Sequence, residues 1–374
     1  MELKIHTLII EGFRAFRRLK IEGLGRVNLI TGRNNTGKSS VLEALRILAS
    51  DASPSVIGSI LRFREEGVGE LEESPRPLDP EGLFLLSSLF LGFPQFSSKL
   101  EPIVIASSGG QHSVRMSLKT RWLSQGREQD GSRKWVVQED FFPESEGSPG
   151  LIIEVDGMWR AVPLEYWSRY SYHRRPFRPD FVDEPHLPCM FVSPYGGERT
   201  ATLGPLWDKI ALSDREKDVV EALRIIDPEI IAVSMVGGEG PRETRTAIVR
   251  AADIPRPVPL RTFGDGLNRL FGIVLSLVNA KDGLLLIDEF ENGMHHTVQT
   301  DTWRAIFKLA KSLDVQVFAT SHSWDAIEAF QKAADEAPEA GVLIRLSRKD
   351  EDIIPTLFQE NELAVATRGK IEVR

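Results

Sequence analysis

Residues 32–39 read Gly-Arg-Asn-Asn-Thr-Gly-Lys-Ser. That is the spacing G-x-x-x-x-G-K-[ST], in which a turn bounded by glycines wraps phosphate groups with backbone amides. Gly32 and Gly37 permit the tight wrap, and the amides of Asn34, Asn35 and Thr36 lie between them. A helix opening at Lys38 adds its positive end to the same anion. Lys38 can reach the β- and γ-phosphates of a nucleotide, and Ser39 carries the hydroxyl that ligates Mg²⁺ in such loops. The chemistry implied is binding of a nucleoside triphosphate, ATP in the first instance.

Three further groups suit the same ligand. Leu284-Leu-Leu-Ile-Asp-Glu289 is a buried-strand pattern ending in two acids, at the carboxyl edge where open α/β sheets bind ligands. Asp288 there would hold Mg²⁺, and Glu289 would polarise an attacking water as general base, a role worth ~10²–10⁴ in rate. Val315-Gln-Val-Phe-Ala-Thr-Ser-His322 is another such strand, and His322 at its end could touch the γ-phosphate. Phe263-Gly-Asp-Gly-Leu267 opens a helix, so Gly264, Asp265 and Gly266 form a second candidate anion site. Catalysis is thus expected from Lys38, Glu289 and His322, with Ser39 and Asp288 on the metal.

These groups need strands that end together. Val27–Ile30 reads as a strand entering the glycine turn, and Val41, Leu42, Leu45 and Leu48 recur at helical spacing after it. Residues 51–82 are rich in Pro, Glu and Gly. From about 100 to 193, IVIA, SVRMSL, KWVV, LIIEV and CMFV read as short strands of a β-rich lobe. Residues 204–227 turn helical and stop at Asp227-Pro228. From Leu267 onward, helices and strands alternate as in a parallel α/β sheet. The fold expected is an α/β phosphate-loop NTPase with an inserted β-rich lobe and a helical segment. Its parts run 1–50 and 256–374 for the nucleotide domain, 51–193 for the insert and 194–255 for a helical, dimerising segment.

The chain has 374 residues and a formal net charge of −8. That excludes a coat of non-specific positive charge for DNA. Cys189 is the single cysteine, which excludes an internal disulfide or a cysteine zinc site and suits a cytoplasmic location. No run reaches the roughly 18 apolar residues of a membrane helix, and the N-terminus shows no signal-peptide pattern.

The four groups in this order resemble the ABC-ATPase superfamily, and more closely its RecF- and OLD-like branch, the AAA15 or AAA21 ATPases. Phe13-Arg14-Ala15-Phe16 matches the branch's F-R-x-F opening. Residues 288–296, DEFENGMHH, resemble its Walker B and D-loop, 319–323 its switch loop, and 264–270 its signature helix. The closing Glu372-Val373-Arg374 is also similar to the end of such an ATPase. The resemblance implies phosphate or Mg²⁺ contacts for Asn34, Gly37, Lys38, Ser39 and Ser40. It implies ATP-dependent homodimerisation, or a higher homo-oligomer, that drives or gates a separate effector such as a nuclease in DNA maintenance or anti-phage defence. Gly264 stands where a signature serine is usual, and Gln95 and Gln111 are alternative Q-loop residues. About 50 residues follow His322, too few for the TOPRIM nuclease domain of larger OLD-like proteins.

Three points stay open on sequence. Aromatic and basic residues interleave from Tyr166 to Arg178, including Arg174 and Arg175; this suits nucleic-acid contact, a protein interface or a packed loop. His295-His296 reads as a metal pair or as part of the D-loop, the latter being better supported. Arg14 reads as a neighbour of the nucleotide or as structural. Rival functions are an ABC transport cassette and a nucleotide sensor with negligible hydrolysis.

Overall fold

A computed structural model describes residues 2–64, 86–94, 100–109, 113–127, 133–138, 147–163, 187–194, 200–237, 245–337 and 341–359. The Tyr166–Arg178 patch, Gln95, Gln111 and the closing Glu372-Val373-Arg374 lie outside the described residues. In chain order, β1 (Thr7–Phe13) and β2 (Phe16–Glu22) precede β3 (Val27–Gly32), α1 (Lys38–Ala49) and α2 (Pro54–Phe63). Then come β4 (Ile103–Ser108), β5 (Val114–Arg127), β6 (Arg133–Gln138), β7 (Gly147–Val155), β8 (Met158–Pro163) and β9 (Cys189–Val192). Helices α3 (Thr200–Asp208) and α4 (Asp214–Ile226) lead to β10 (Ile230–Val236), β11 (Thr246–Ala251) and β12 (Val258–Pro259). The remainder alternates: α5 (Asp265–Asn279), β13 (Leu284–Ile287), α6 (His296–Ser312), β14 (Gln316–Thr320), α7 (Trp324–Ala334), β15 (Gly341–Lys349) and β16 (Asp352–Phe358).

The central sheet has the order β9-β13-β14-β3-β15-β16. Its first five strands are parallel, and β16 closes it antiparallel to β15. Every residue of β3, β13 and β14 is buried, as expected for parallel strands covered on both faces. The period of two then divides their side chains between two cores. Leu285, Ile287, Val317, Ala319, Val27 and Leu29 pack with α3 to α7. Leu284, Leu286, Phe318 and Ile30 pack with α1, α2 and the second sheet.

That second sheet is antiparallel, β2-β1-β4-β5-β7-β8, with β6 pairing the far end of β5. The β-rich stretch continues the sheet opened by β1 and β2, since β4 pairs with β1, Ile105 opposite Ile10. Leu8, Ile10, Ile103, Ile105, Met116 and Leu118 alternate inward onto the same core as Val41 and Leu45 of α1. Strand β9, read with the antiparallel strands, instead flanks β13 at the edge of the parallel sheet. Its run CMFV does not alternate, which is the pattern of a parallel strand. The segment 194–255 is also not wholly helical, since β10, β11 and β12 form a small antiparallel sheet within it and just beyond. Among the described residues no helix is long and apolar enough to cross a membrane.

Candidate functional site

Strand register brings the site together. Ile287 of β13 lies opposite Ala319 of β14, so Asp288 and Thr320 follow side by side. Thr320 in turn lies opposite Ile30 of β3, two residues before the glycine turn. All three strands therefore end at one edge, the carboxyl edge that receives ligands in such sheets.

The turn itself is shaped by its neighbours. A side chain at Gly32 (φ 143°) would stand 2.4 Å from the Leu346 carbonyl oxygen, and one at Gly37 (φ 83°) 2.6 Å from the Phe16 ring. Phe16 of the F-R-x-F opening thus forms the floor under the turn. Asn35 takes the left-handed conformation that asparagine tolerates (φ 62°), and the Arg348 guanidinium donates to its carbonyl at 3.2 Å. Gly37 is the N-cap of helix α1, which has no side-chain cap and no acid in its first turn; this leaves its amides and dipole for an anion.

Lys38 Nζ donates to the carbonyls of Gly32 at 2.7 Å and Arg33 at 3.1 Å. Burial lowers the lysine's pKa, against the pull of Glu291, Asp288 and Glu289. Asp288 is 4% exposed. Its Oδ1 accepts from Ser39 Oγ at 3.1 Å and Thr320 Oγ1 at 2.6 Å. Burial pushes the Asp288 carboxyl above its usual range; Thr320 and Ser39 oppose this, Glu289 adds to it and Arg64 opposes it. A buried carboxylate held at a cost beside a hydroxyl is a fit for a divalent cation. Among the described residues no three acidic, histidine or cysteine side chains cluster for a metal. Mg²⁺ needs none, since it is commonly bound by one or two carboxylates and the substrate's phosphates.

Glu289 stands in a left-handed conformation (φ 48°), a strain of about 1–3 kcal/mol of the kind found at functional sites. Its amide donates to Thr320 Oγ1 at 2.8 Å, and its carboxylate accepts from Asn292. Asn292 also donates to the Pro194 carbonyl at 2.9 Å. His322 is joined to the same loop through Glu291, whose Oε1 accepts from the His322 amide at 2.9 Å.

Ser39, Asp288 and Glu289 are therefore joined by hydrogen bonds through Thr320, Glu291 ties His322 to the same loop, and Lys38 feels Glu291, Asp288 and Glu289 through charge. Ser40 joins by another route. It is buried and receives a long contact from Arg64 at 3.5 Å, while Arg64 also pairs with Glu43 of α1. Glu43 is the partner of Arg14 as well, at 3.3 Å, and Arg14 donates to the Ser88 carbonyl at 2.8 Å. Arg14, buried in this way, is a structural residue that locks the F-R-x-F turn onto α1.

Gly264, Asp265 and Gly266 occupy a different place. They line a cavity with Gly293 and His295 of the acid-bearing loop, and no phosphate-loop residue lines it. Asp265 lies in the first turn of α5, which weakens that helix end as an anion site. The same helix still reaches the acids through buried Arg269, which donates to the carbonyls of Ser193 at 2.7 Å and Asp288 at 3.2 Å. The rings of His295 and His296 lie against each other, centroids 4.1 Å apart and planes tilted by 42°, and His295 Nδ1 is 3.0 Å from Thr297 Oγ1. No third ligand joins them among the described residues.

Sequence reasoning missed Thr320, Asn292, Arg269 and Glu291 as members of the network. All four lie inside motifs it had quoted, so the signal was their position within those motifs.

Residues 206–327 match the family described as "AAA domain, putative AbiEii toxin, Type IV TA system", and residues 3–76 match "AAA ATPase domain". The chain is similar to an "ATP/GTP phosphatase" of Helicobacter pylori, 23% identical over 390 residues and covering 96% of each chain. It is also similar to "Uncharacterized protein MJECL11" of Methanocaldococcus jannaschii, 32% identical over 94 residues, which are 25% of this chain and 82% of that protein. Among solved structures, an SMC head domain from Thermotoga maritima aligns with 96% of this chain and 100% of its own, at 12% identity and a TM-score of 0.45.

Proposed function

Because the chain belongs to the AAA15/AAA21 group of ATPases, we propose that it binds ATP with Mg²⁺ and hydrolyses it at the Lys38–Asp288–His322 edge. The observation that carries this is the convergence on Asp288 of Ser39 from the phosphate loop and Thr320 from the switch strand. The loop amides of residues 32–37 and Lys38 hold the phosphates; Asn34, Asn35, Thr36 and Ser40 belong to that cradle. Ser39 and Asp288 hold Mg²⁺, which when bound neutralises phosphate charge. Glu289, its backbone fixed by Thr320 and its carboxylate by Asn292, orients and deprotonates the attacking water. His322 reads the γ-phosphate.

Two copies are proposed to close around the nucleotides. Gly264, Gly266, Gly293 and His295 line an open cavity beside the acid loop, a surface on which a second copy's nucleotide could bear. The cycle of closure and release would then gate a separate effector, such as a nuclease, in DNA maintenance or anti-phage defence in the cytoplasm. This chain would contribute the nucleotide engine, and contact with nucleic acid would be secondary.

The test is the mass of Glu289→Gln in solution by light scattering, with and without ATP and Mg²⁺. The reading expects an ATP-dependent doubling or higher assembly. An unchanged mass in both states, with nucleotide demonstrably bound, counts against closure of two copies.

A further inference from the structure

Glu291 has no assigned part in hydrolysis, yet it sits at the hinge of the network. It lies on the loop from β13 to α6, three residues past Asp288. Its side chain is only 10% exposed. One oxygen, Oε1, accepts from the His322 backbone amide at 2.9 Å and lies 3.0 Å from His322 Nδ1. Among the described residues the other, Oε2, is buried with no hydrogen-bond partner. A buried carboxylate oxygen without a donor is costly, and a fold that needed only a tether for the switch loop could use an amide or a hydroxyl there.

Charge adds a second observation. Of the three acids that oppose the burial of Lys38, Glu291 acts most strongly, ahead of Asp288 and Glu289. The carboxylate therefore bears on the phosphate-loop ammonium by charge and on the switch histidine by contact. With the Nδ1 proton donated to Glu291, Nε2 is the ring atom left for a reacting group. The ring's other edge is open, the His322 side chain being 54% exposed.

Resting on the hydrolase reading above, we propose that Glu291 is a positioning residue that acts through His322. It fixes both the backbone and the ring of His322 to the loop that carries Asp288 and Glu289. The γ-phosphate contact of the histidine and the placement of the water-activating acid are thereby coupled. The same loop continues through Gly293 and His295 into α6, so the coupling extends to the cavity proposed to meet a second copy.

The experiment is steady-state ATP hydrolysis by the full chain for wild type, Glu291→Gln, Glu291→Asp, His322→Ala and the double variant Glu291→Gln/His322→Ala, with a melting curve for each. The expectation is a kcat for Glu291→Gln about tenfold or more below wild type with KM within about twofold, and a value for Glu291→Asp between the two. In the His322→Ala background the same Gln substitution should change kcat by less than about twofold, because its target is gone. A Glu291→Gln variant that turns over like an active wild type overturns the inference alone. So does an effect of full size in the His322→Ala background, or a loss confined to the melting temperature. If Glu291→Gln does not fold, Glu291→Asp decides by the same comparison with and without His322. A pure, folded wild type without turnover sinks the hydrolase reading, and this inference with it.

Discussion

Ser39 Oγ donates to Asp288 Oδ1 at 3.1 Å across 249 residues of sequence. This bond joins the first helix to the acid-bearing strand, and it makes Asp288 a residue whose stability cost and function oppose each other. Burial raises its pKa from the ordinary 3.8. A raised carboxyl contributes nothing below its unfolded pKa, where both states are protonated. As pH rises through that value and then through the folded one, the ionised form is disfavoured in the fold and stability is lost. Asp288→Asn keeps an acceptor for Ser39 and Thr320 and removes the charge. In nucleotide-free, Mg²⁺-free buffer near pH 7.5 the variant should melt about 2 °C or more above wild type. The gap should vanish below about pH 4, and hydrolysis should be lost. Melting curves across pH check this; a variant less stable than wild type at pH 7.5 contradicts it.

Phe290 anchors the acid loop. Its ring is fully buried and stacks on Trp303 of α6, centroids 4.0 Å apart and planes 20° from parallel. Its amide donates to the Thr320 carbonyl at 2.9 Å. Phe290→Ala should cost about 3–5 kcal/mol through the cavity it leaves, and Phe290→Leu clearly less. Urea unfolding of the two variants gives the comparison. A midpoint shift for Ala no larger than for Leu would mean that the loop is held by other contacts.

Asp314 ties the N-terminus to the start of β14, accepting from Lys4 at 2.7 Å and Arg26 at 2.9 Å. Burial alone would raise its pKa, but the two cations outweigh it and hold the carboxyl below the ordinary 3.8. A lowered carboxyl stabilises the fold above its unfolded pKa, and that contribution is lost as pH falls through the folded one. Asp314→Asn should therefore lower the melting temperature at pH 7, with the difference from wild type closing as pH falls below about 4. A difference that does not shrink at all as pH falls below about 4 would assign the effect to packing.

The parts of this site that were legible in sequence are those in which a short run sets its own backbone. Gly32 to Ser39, Asp288 after four apolar residues, and His322 after VQVFATS announce strand ends and a helix start without knowledge of the partner. Pairings across long separations were not legible. Nothing local in Ile103–Ser108 states that it will pair with β1, so the antiparallel sheet was read as an insert. Likewise Arg269 reads as one polar residue on an apolar helix until its donation to the Asp288 carbonyl is seen. Thr320 and Glu291 were within quoted motifs, but their hydrogen bonds depend on the register of β13 against β14.

The most direct test of the account is single-turnover release of phosphate from ATP by wild type, Lys38→Ala and Glu289→Gln, with nucleotide binding measured separately. The account predicts Mg²⁺-dependent release by wild type and weakened binding by Lys38→Ala, by about 2 kcal/mol or more. Glu289→Gln should bind nucleotide as wild type does yet release phosphate at least about 100-fold more slowly. Release by Glu289→Gln at the wild-type rate would contradict the placement of catalysis at the end of this strand.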